Sequence, residues 1–178
     1  MIIIVEGLDN TGKSTLIKNL RKYVFKHPMV TSIHCTSPPY QSNSQWSKDH
    51  YNEILRLSRD MSMNGWVVIL DRSHLGEDVF GPIFRNESVD YIYDLEYSYF
   101  VDVDVRAILL IDDPANLIER DDGQSHTINR NDLQNVSDRF VDVFKKSHIN
   151  HKMVYHITND GGFTHLLSTV MEFLECKH

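Results

Sequence analysis

Cysteine is nearly missing from this 178-residue chain: Cys35 and Cys176 are the only two, far apart and in no metal-binding or redox spacing. A disulfide framework and a paired-cysteine metal site are thereby set aside, leaving two free thiols in a reducing cytosol. Long hydrophobic runs are missing too. The opening stretch "MIIIV" stops at Glu6, too short for a signal peptide or a membrane span, so the expectation is a cytoplasmic protein with no membrane partner. Positive charge is in deficit: 18 Lys and Arg against 25 Asp and Glu give a net charge of −7. That disfavours a protein whose main work is coating nucleic acid, which needs a basic face, but it leaves room for a local basic pocket. No internal repeat or low-complexity segment interrupts the chain. With 41% hydrophobic residues, its length suits one domain, residues 1–178, around a sizeable core.

What is present is an alternation of short apolar runs and helical patterns. "MIIIVEG" is a β-branched run ending in glycine, as a buried parallel strand should be. Leu16, Leu20, Tyr23 and Val24 predict a helix over 13–26, and "VTSIHC" a second strand stopped by Pro38 and Pro39. Tyr51, Ile54, Leu55, Leu57 and Met61 predict a helix over 47–64 closed by Gly65, followed by the strand "WVVILD". Gly76, Gly81 and Pro82 predict a loop over 73–87, then a tyrosine-rich helix over 88–100. "VRAILLID" is the fourth strand, followed by a short helix opening near Pro114. The polar, periodless 121–130 predicts a loop. A helix over 131–147, the strand "KMVYHIT" and a helix over 163–175 close the chain. Five strands alternating with helices predict an α/β fold: a five-stranded parallel sheet with helices on both faces. Ligands bind such sheets beyond the carboxyl ends of the strands, where the polar motifs of this chain fall.

The strongest motif is Gly7-x-x-x-x-Gly12-Lys13-Ser14, a complete phosphate-binding loop pattern between a strand and a helix. Its glycines permit a backbone path whose N–H groups point inward at an anion, and the following helix turns its positive end to the same place. Gly7, Asn10, Thr11, Gly12, Lys13, Ser14 and Thr15 are the expected cradle for ATP. Lys13 supplies a mobile cation for the β and γ phosphates, and the Ser14 hydroxyl suits Mg²⁺. In "VVILDRS", Asp71 ends an apolar strand beside that loop, placed to hold a magnesium water or a reacting group. Arg72, one residue on, suits paired hydrogen bonds to an acceptor phosphate. His74 adjoins the pair as a further acceptor contact.

Together, "EGLDNTGKST", "VVILDRS" and "ILLIDDPANLIER" resemble the thymidylate kinase-like nucleotide and nucleoside kinases, in order and spacing across most of residues 1–150. The resemblance implies a P-loop kinase fold with a short lid, here about 121–130, and transfer of the ATP γ-phosphoryl group to a nucleotide. It implies that Asp9 faces the acceptor sugar and Arg72 the acceptor phosphate. It also implies that Arg120 and Arg130, flanking the lid, neutralise the transferring group, with Arg139 a weaker candidate. A homodimer is implied in the same way. The chain departs from the family in two places. After the second strand it has "CTSPPY", with neither the arginine-glutamate of many thymidylate kinases nor the glutamate of nucleoside kinases. The positions that hold the thymine ring fall near Ser47 and Tyr51, so that clamp is absent or rebuilt, with Trp46, Tyr51 or Arg56 the candidate base contacts.

Three readings follow. Transfer to a phosphate needs positioning and charge neutralisation, because the attacking oxygen is already anionic. The cations are present and the nucleoside kinase glutamate is not, which favours a nucleoside monophosphate, dTMP or a related pyrimidine deoxynucleotide. Transfer to a hydroxyl, on a deoxynucleoside or a modified base in DNA, needs a general base, for which Asp71, Glu6 and Glu77 are the options. A nucleotide-binding regulatory switch is the third reading, disfavoured by the acceptor-like Asp71-Arg72 pair.

Overall fold

The computed structural model describes residues 1–24, 29–35, 44–86, 89–121, 123, 129–157 and 162–175. Five strands form one parallel sheet: β1 (Ile2–Gly7), β2 (Val30–His34), β3 (Val67–Asp71), β4 (Val105–Ile111) and β5 (His151–His156), in the order β2-β3-β1-β4-β5. The period of two along each strand divides the core between the two faces. Ile2 and Ile4 of β1, Val68 and Leu70 of β3, and Val105, Ala107, Leu109 and Ile111 of β4 face one side. Ile3, Val5, Ile69, Ile108 and Leu110 face the other. Both faces are therefore covered, which is why these strands read as unbroken apolar runs rather than alternating ones.

The first face carries α2 (Ser44–Met63), α3 (Leu75–Arg85), α4 (Tyr91–Tyr99), α5 (Pro114–Glu119) and α6 (Arg130–Lys146). The second carries α1 (Lys13–Asn19), which widens into a π-helical turn over Leu20–Val24, and α7 (Gly162–Glu175). Among the described residues no helix is long and apolar enough to cross a membrane. Pairing Val5 with Asp71 and Gly7 with Leu110 levels the carboxyl ends of β3, β1 and β4, so that the turns leaving these three strands share one rim.

One expected loop is a helix. Residues 75–85 form α3 despite Gly76, Gly81 and Pro82. Pro82 has no N–H to offer the Asp78 carbonyl four residues back, and that carbonyl instead accepts from Arg139 Nε of α6 at 2.8 Å. Gly81 is a packing residue: a Cβ there would lie 2.9 Å from the Arg85 guanidinium and 3.0 Å from Val89. Tertiary partners thus override the local helix-breaking signal. Arg139, expected as a weaker lid candidate, is committed to this brace. Cys35 is buried without a disulfide, and Cys176, Pro38 and Pro39 lie outside the described residues.

Candidate functional site

The loop after β1 is built around backbone that other residues do not reach easily. A side chain at Gly7 would meet the Leu110 carbonyl oxygen at 2.3 Å, and Gly7 sits at φ 140°. Gly12, at φ 84°, opens α1, and its carbonyl accepts the first helical bond from the Leu16 N–H at 2.9 Å. Thr11 Oγ1 donates to the Leu8 carbonyl at 2.8 Å, and Lys13 Nζ donates to the same oxygen. Lys13 is thereby folded back over the loop and buried. Burial pulls its ammonium down to about 8, with Arg72 acting in the same direction and Asp9, Glu6 and Asp71 opposing. A cation this desolvated gains strongly from an added anion.

Beneath the loop, the Glu6 carboxyl is fully buried and pushed up to about 7. Burial is the main cause, and Arg72, Lys13 and the N–H groups of Ser73 and Gly76 pull against it. Neither Glu6 oxygen closes a hydrogen bond, so those N–H groups act on it from beyond bonding geometry.

The residues expected to face an acceptor begin at the end of β3. Arg72 takes a left-handed turn, φ 65°, while its N–H stays in the sheet, donating to Val5 at 3.0 Å. The turn carries the guanidinium across to the phosphate loop, where it pairs with Asp9. These residues, 63 positions apart, are thus brought together, at the level of Lys13 and Glu6. A bulky residue at positive φ stores strain, and such strain concentrates at functional sites.

Asp71 Oδ2 accepts from or shares a proton with His34 Nδ1 at 3.0 Å. Asp71 and Ser14 line one recess of about 440 Å³ together with Ile17, Lys18, Arg21, Lys22 and Val30. The two expected metal ligands therefore border the same recess, whose lining also carries three basic residues, Lys18, Arg21 and Lys22. A hydroxyl and a carboxylate, with space left for water, fit the hard oxygen set that Mg²⁺ takes. The expected lid arginines sit at the end of β4. Arg120 pairs with Asp112 and donates from Nε to the Asn116 carbonyl at 2.9 Å, and Arg130 NH2 lies 3.7 Å from Asp113. Asn10 reaches the same rim, 3.5 Å from Asp121. Most of the lid, residues 122 and 124–128, lies outside the described residues.

His74 corrects the sequence reading. It is fully buried, with Nε2 at 2.9 Å from Glu96 Oε1 and Nδ1 at 2.7 Å from Ser73 Oγ, so both nitrogens are engaged and no part of it faces an acceptor. Glu96 also accepts from Ser147 Oγ and the His148 N–H; against burial, His74 above all, and then these two bonds, hold its carboxyl below the usual range. His74 joins the start of α3 to the α6–β5 turn. Tyr51 is likewise a core residue at 4% exposure. Arg56 is spent on Glu53 and Asp60 along the outer face of α2. Trp46 remains at the surface, stacked on His50 with ring centres 4.8 Å apart and planes 16° from parallel.

The sequence reading missed a polar corner between α2, α3 and α4. Glu77 pairs there with Arg85 and accepts from the Tyr91 hydroxyl at 3.3 Å. Ser47 and His50 face the same group from α2. Once α3 is helical, Glu77, Gly81 and Arg85 fall on one face at intervals of four, the signal that a loop assignment hides.

No family model matches this sequence, and no curated protein matches it; the likeness is in three dimensions. A crystal structure of YorR from Bacillus subtilis, in complex with phosphorylated GDP, superposes with a TM-score of 0.68 at 19% identity over 100% of both chains. Thymidylate kinase from Ehrlichia chaffeensis superposes with a TM-score of 0.67 at 16% identity, covering 98% of each chain. The fold is that of the P-loop kinases. At this identity the likeness carries the fold alone. The P-loop kinase frame accounts for the placement of the site: the Gly7–Ser14 loop and the Asp71-Arg72 turn leave neighbouring parallel strands on the same rim.

Proposed function

We propose that this chain is an ATP- and Mg²⁺-dependent nucleoside monophosphate kinase whose acceptor is dTMP or a related pyrimidine deoxynucleotide. The observation that carries it is the Arg72–Asp9 pair held against the phosphate loop. A switch that only binds and hydrolyses its nucleotide needs no second anion site, whereas transfer to a phosphate needs a cation in this place. The phosphorylated GDP bound to YorR and the identity of the Ehrlichia protein as a thymidylate kinase support the same class.

In this reading Gly7, Asn10, Thr11, Gly12, Lys13, Ser14 and Thr15 hold the ATP phosphates through inward N–H groups. Lys13 leaves the Leu8 carbonyl for the β and γ oxygens, exchanging one partner oxygen for a charged one. Arg72 exchanges Asp9 for the acceptor phosphate, which frees the Asp9 carboxylate for the acceptor sugar. Arg120 and Arg130 close from the β4 rim onto the charge of the transferring group. Mg²⁺, when bound, neutralises phosphate oxygens as a Lewis acid, and Ser14 and Asp71 would hold it. The attacking oxygen is already anionic, so orientation and charge neutralisation are the chemistry required of the protein.

A second reading has one observation behind it. Glu6, an unpartnered carboxylate at about 7, has the protonation range of a general base for a hydroxyl acceptor. Its complete burial counts against direct contact. ADP release across nucleoside monophosphates, free nucleosides and hydroxymethylated oligonucleotides separates the readings. Turnover confined to monophosphates supports the first, turnover of a hydroxyl acceptor alone replaces it with the second, and ATP consumption indifferent to every acceptor leaves the regulatory switch.

A further inference from the structure

The sheet register sets His34, the last residue of β2, opposite Asp71, the last of β3. Around this pair the backbone is clamped from both sides. The Cys35 N–H donates to the Asp71 carbonyl at 3.0 Å, and the Arg72 N–H donates to Val5 of β1 at 3.0 Å. What remains free to turn at Asp71 is its side chain, and His34 Nδ1 holds Oδ2 of that side chain at 3.0 Å. A metal-holding carboxylate only accepts hydrogen bonds, so Nδ1 carries the hydrogen. The imidazole lies outside, with 59% of its side chain exposed, and the carboxylate beneath it is 15% exposed. Exposed pairs of this kind add little to stability. What the contact supplies is direction.

Direction matters because the recess that Asp71 borders is lined by the opposite charge. Ser14, Lys18, Arg21 and Lys22 fall on one face of the helical segment that follows the phosphate loop, and Val30 of β2 lies across the recess from them. Ser32 and His34 share the side of β2 that Val30 presents. Ser32 Oγ accepts from Arg21 Nη1 at 3.1 Å, and His34 bonds Asp71, so β2 pins one cation and one carboxylate of the same recess apart. An aspartate free to turn would be drawn onto a cation of the wall, and a carboxylate paired with an ammonium is a poorer ligand for a divalent ion. Lys18, one turn beyond Ser14, is the expected competitor, since Arg21 is held on Ser32.

We propose that His34 is a positioning residue of the metal site: its bond fixes the Asp71 carboxylate for a divalent cation shared with Ser14 and keeps it off Lys18. The inference rests on the reading that Ser14 and Asp71 hold Mg²⁺ beside bound ATP. His34 directly precedes "CTSPPY", so β2 brings a polar side chain to the rim although the segment after it carries no charge.

The test is calorimetry of the β,γ-imido analogue of ATP, titrated once with Mg²⁺ present and once with EDTA, so that neither an acceptor nor turnover is involved. The factor by which Mg²⁺ tightens binding is the quantity read. His34→Phe keeps a ring and removes the donor; it should lower that factor about tenfold, with affinity in EDTA within about twofold of wild type. His34→Asn, whose amide restores an N–H near the place of Nδ1, should keep the factor within about threefold of wild type. Adding Lys18→Gln to His34→Phe should regain most of the loss, because the competing ammonium is gone. The melting temperature of each His34 variant should stay within about 2 °C of wild type. An unchanged factor in His34→Phe overturns the proposal, and so does a loss of equal size with and without Lys18. A loss of affinity that is the same in Mg²⁺ and in EDTA marks a structural role and overturns it as well. Asp71→Asn tests the underlying reading, and should lower the factor at least as far as His34→Phe does. If Asp71→Asn alone lowers it, only the proposal falls; if neither variant does, the metal assignment falls and takes the proposal with it.

Discussion

The phosphate loop and the corner between α2, α3 and α4 lie on either side of Arg72, and they hold their polar groups in opposite ways. In the loop, Thr11 and Lys13 both rest on the Leu8 carbonyl, and Arg72 rests on Asp9. A ligand there must displace partners that already exist. In the corner, Ser47, His50 and Arg85 keep atoms with no partner at all. Those buried atoms lack the bonds that the loop's groups have. The loop and Arg72 are therefore groups already paired with one another, whereas the corner is a polar cluster assembled from three helices.

That contrast predicts different consequences when each side is cut. The largest expected effect is Lys13→Ala. It should lower kcat by at least about 1000-fold, about 4 kcal/mol of transition-state stabilisation, while the free protein stays folded. Removing a buried cation relieves a desolvation cost in the free state, so circular dichroism should show an unchanged fold and a melting temperature no lower than wild type. Near-normal turnover would remove Lys13 from the donor site.

Arg72→Ala comes next. It should lower kcat/KM for the acceptor about 10- to 100-fold, with KM for ATP within about threefold of wild type. An equal loss on both substrates would contradict the assignment of Arg72 to the acceptor.

The smallest expected effect concerns Glu6, which lies under both. Its folded-state value, about 7, stands above the ordinary 4.5. The stability it contributes is thus fully present below about 4.5 and lost as pH rises through about 7. Glu6→Gln should leave the melting temperature unchanged near pH 4.5 and raise it by about 5 °C at pH 8. A gain of equal size at both pH values would mean that burial of the charge is not what perturbs Glu6.

The same contrast explains which parts were legible in the sequence. The sheet, its five strands and the loop were readable because each is encoded in adjacent residues: a β-branched run, a glycine that tolerates φ 84°, a lysine placed on the first turn of a helix. The family resemblance assigned Asp9 and Arg72 to one acceptor, but their pairing was not legible, since nothing local links residues 63 apart. α3 was misread because Gly76, Gly81 and Pro82 signal a loop locally. The partners that permit a helix, Arg139 on the Asp78 carbonyl and Arg85 and Val89 against Gly81, come from elsewhere in the fold. His74 was misread for the same reason. Its nearness to Arg72 in sequence says nothing of Glu96, 22 residues on, which takes its Nε2 into the core. Arg85 carries no motif, and Ser47 was marked only through the family resemblance, as a position near the thymine ring.

The central claim is that the loop's phosphate is handed to another phosphate at Arg72. The direct measurement is ³¹P nuclear magnetic resonance of the reaction with ATP, Mg²⁺ and dTMP. The account predicts that the dTMP singlet is replaced by a pair of coupled doublets, the signature of a new phosphoanhydride. Formation of ADP and free phosphate with the dTMP singlet intact, or of a new phosphomonoester when thymidine replaces dTMP, would contradict it.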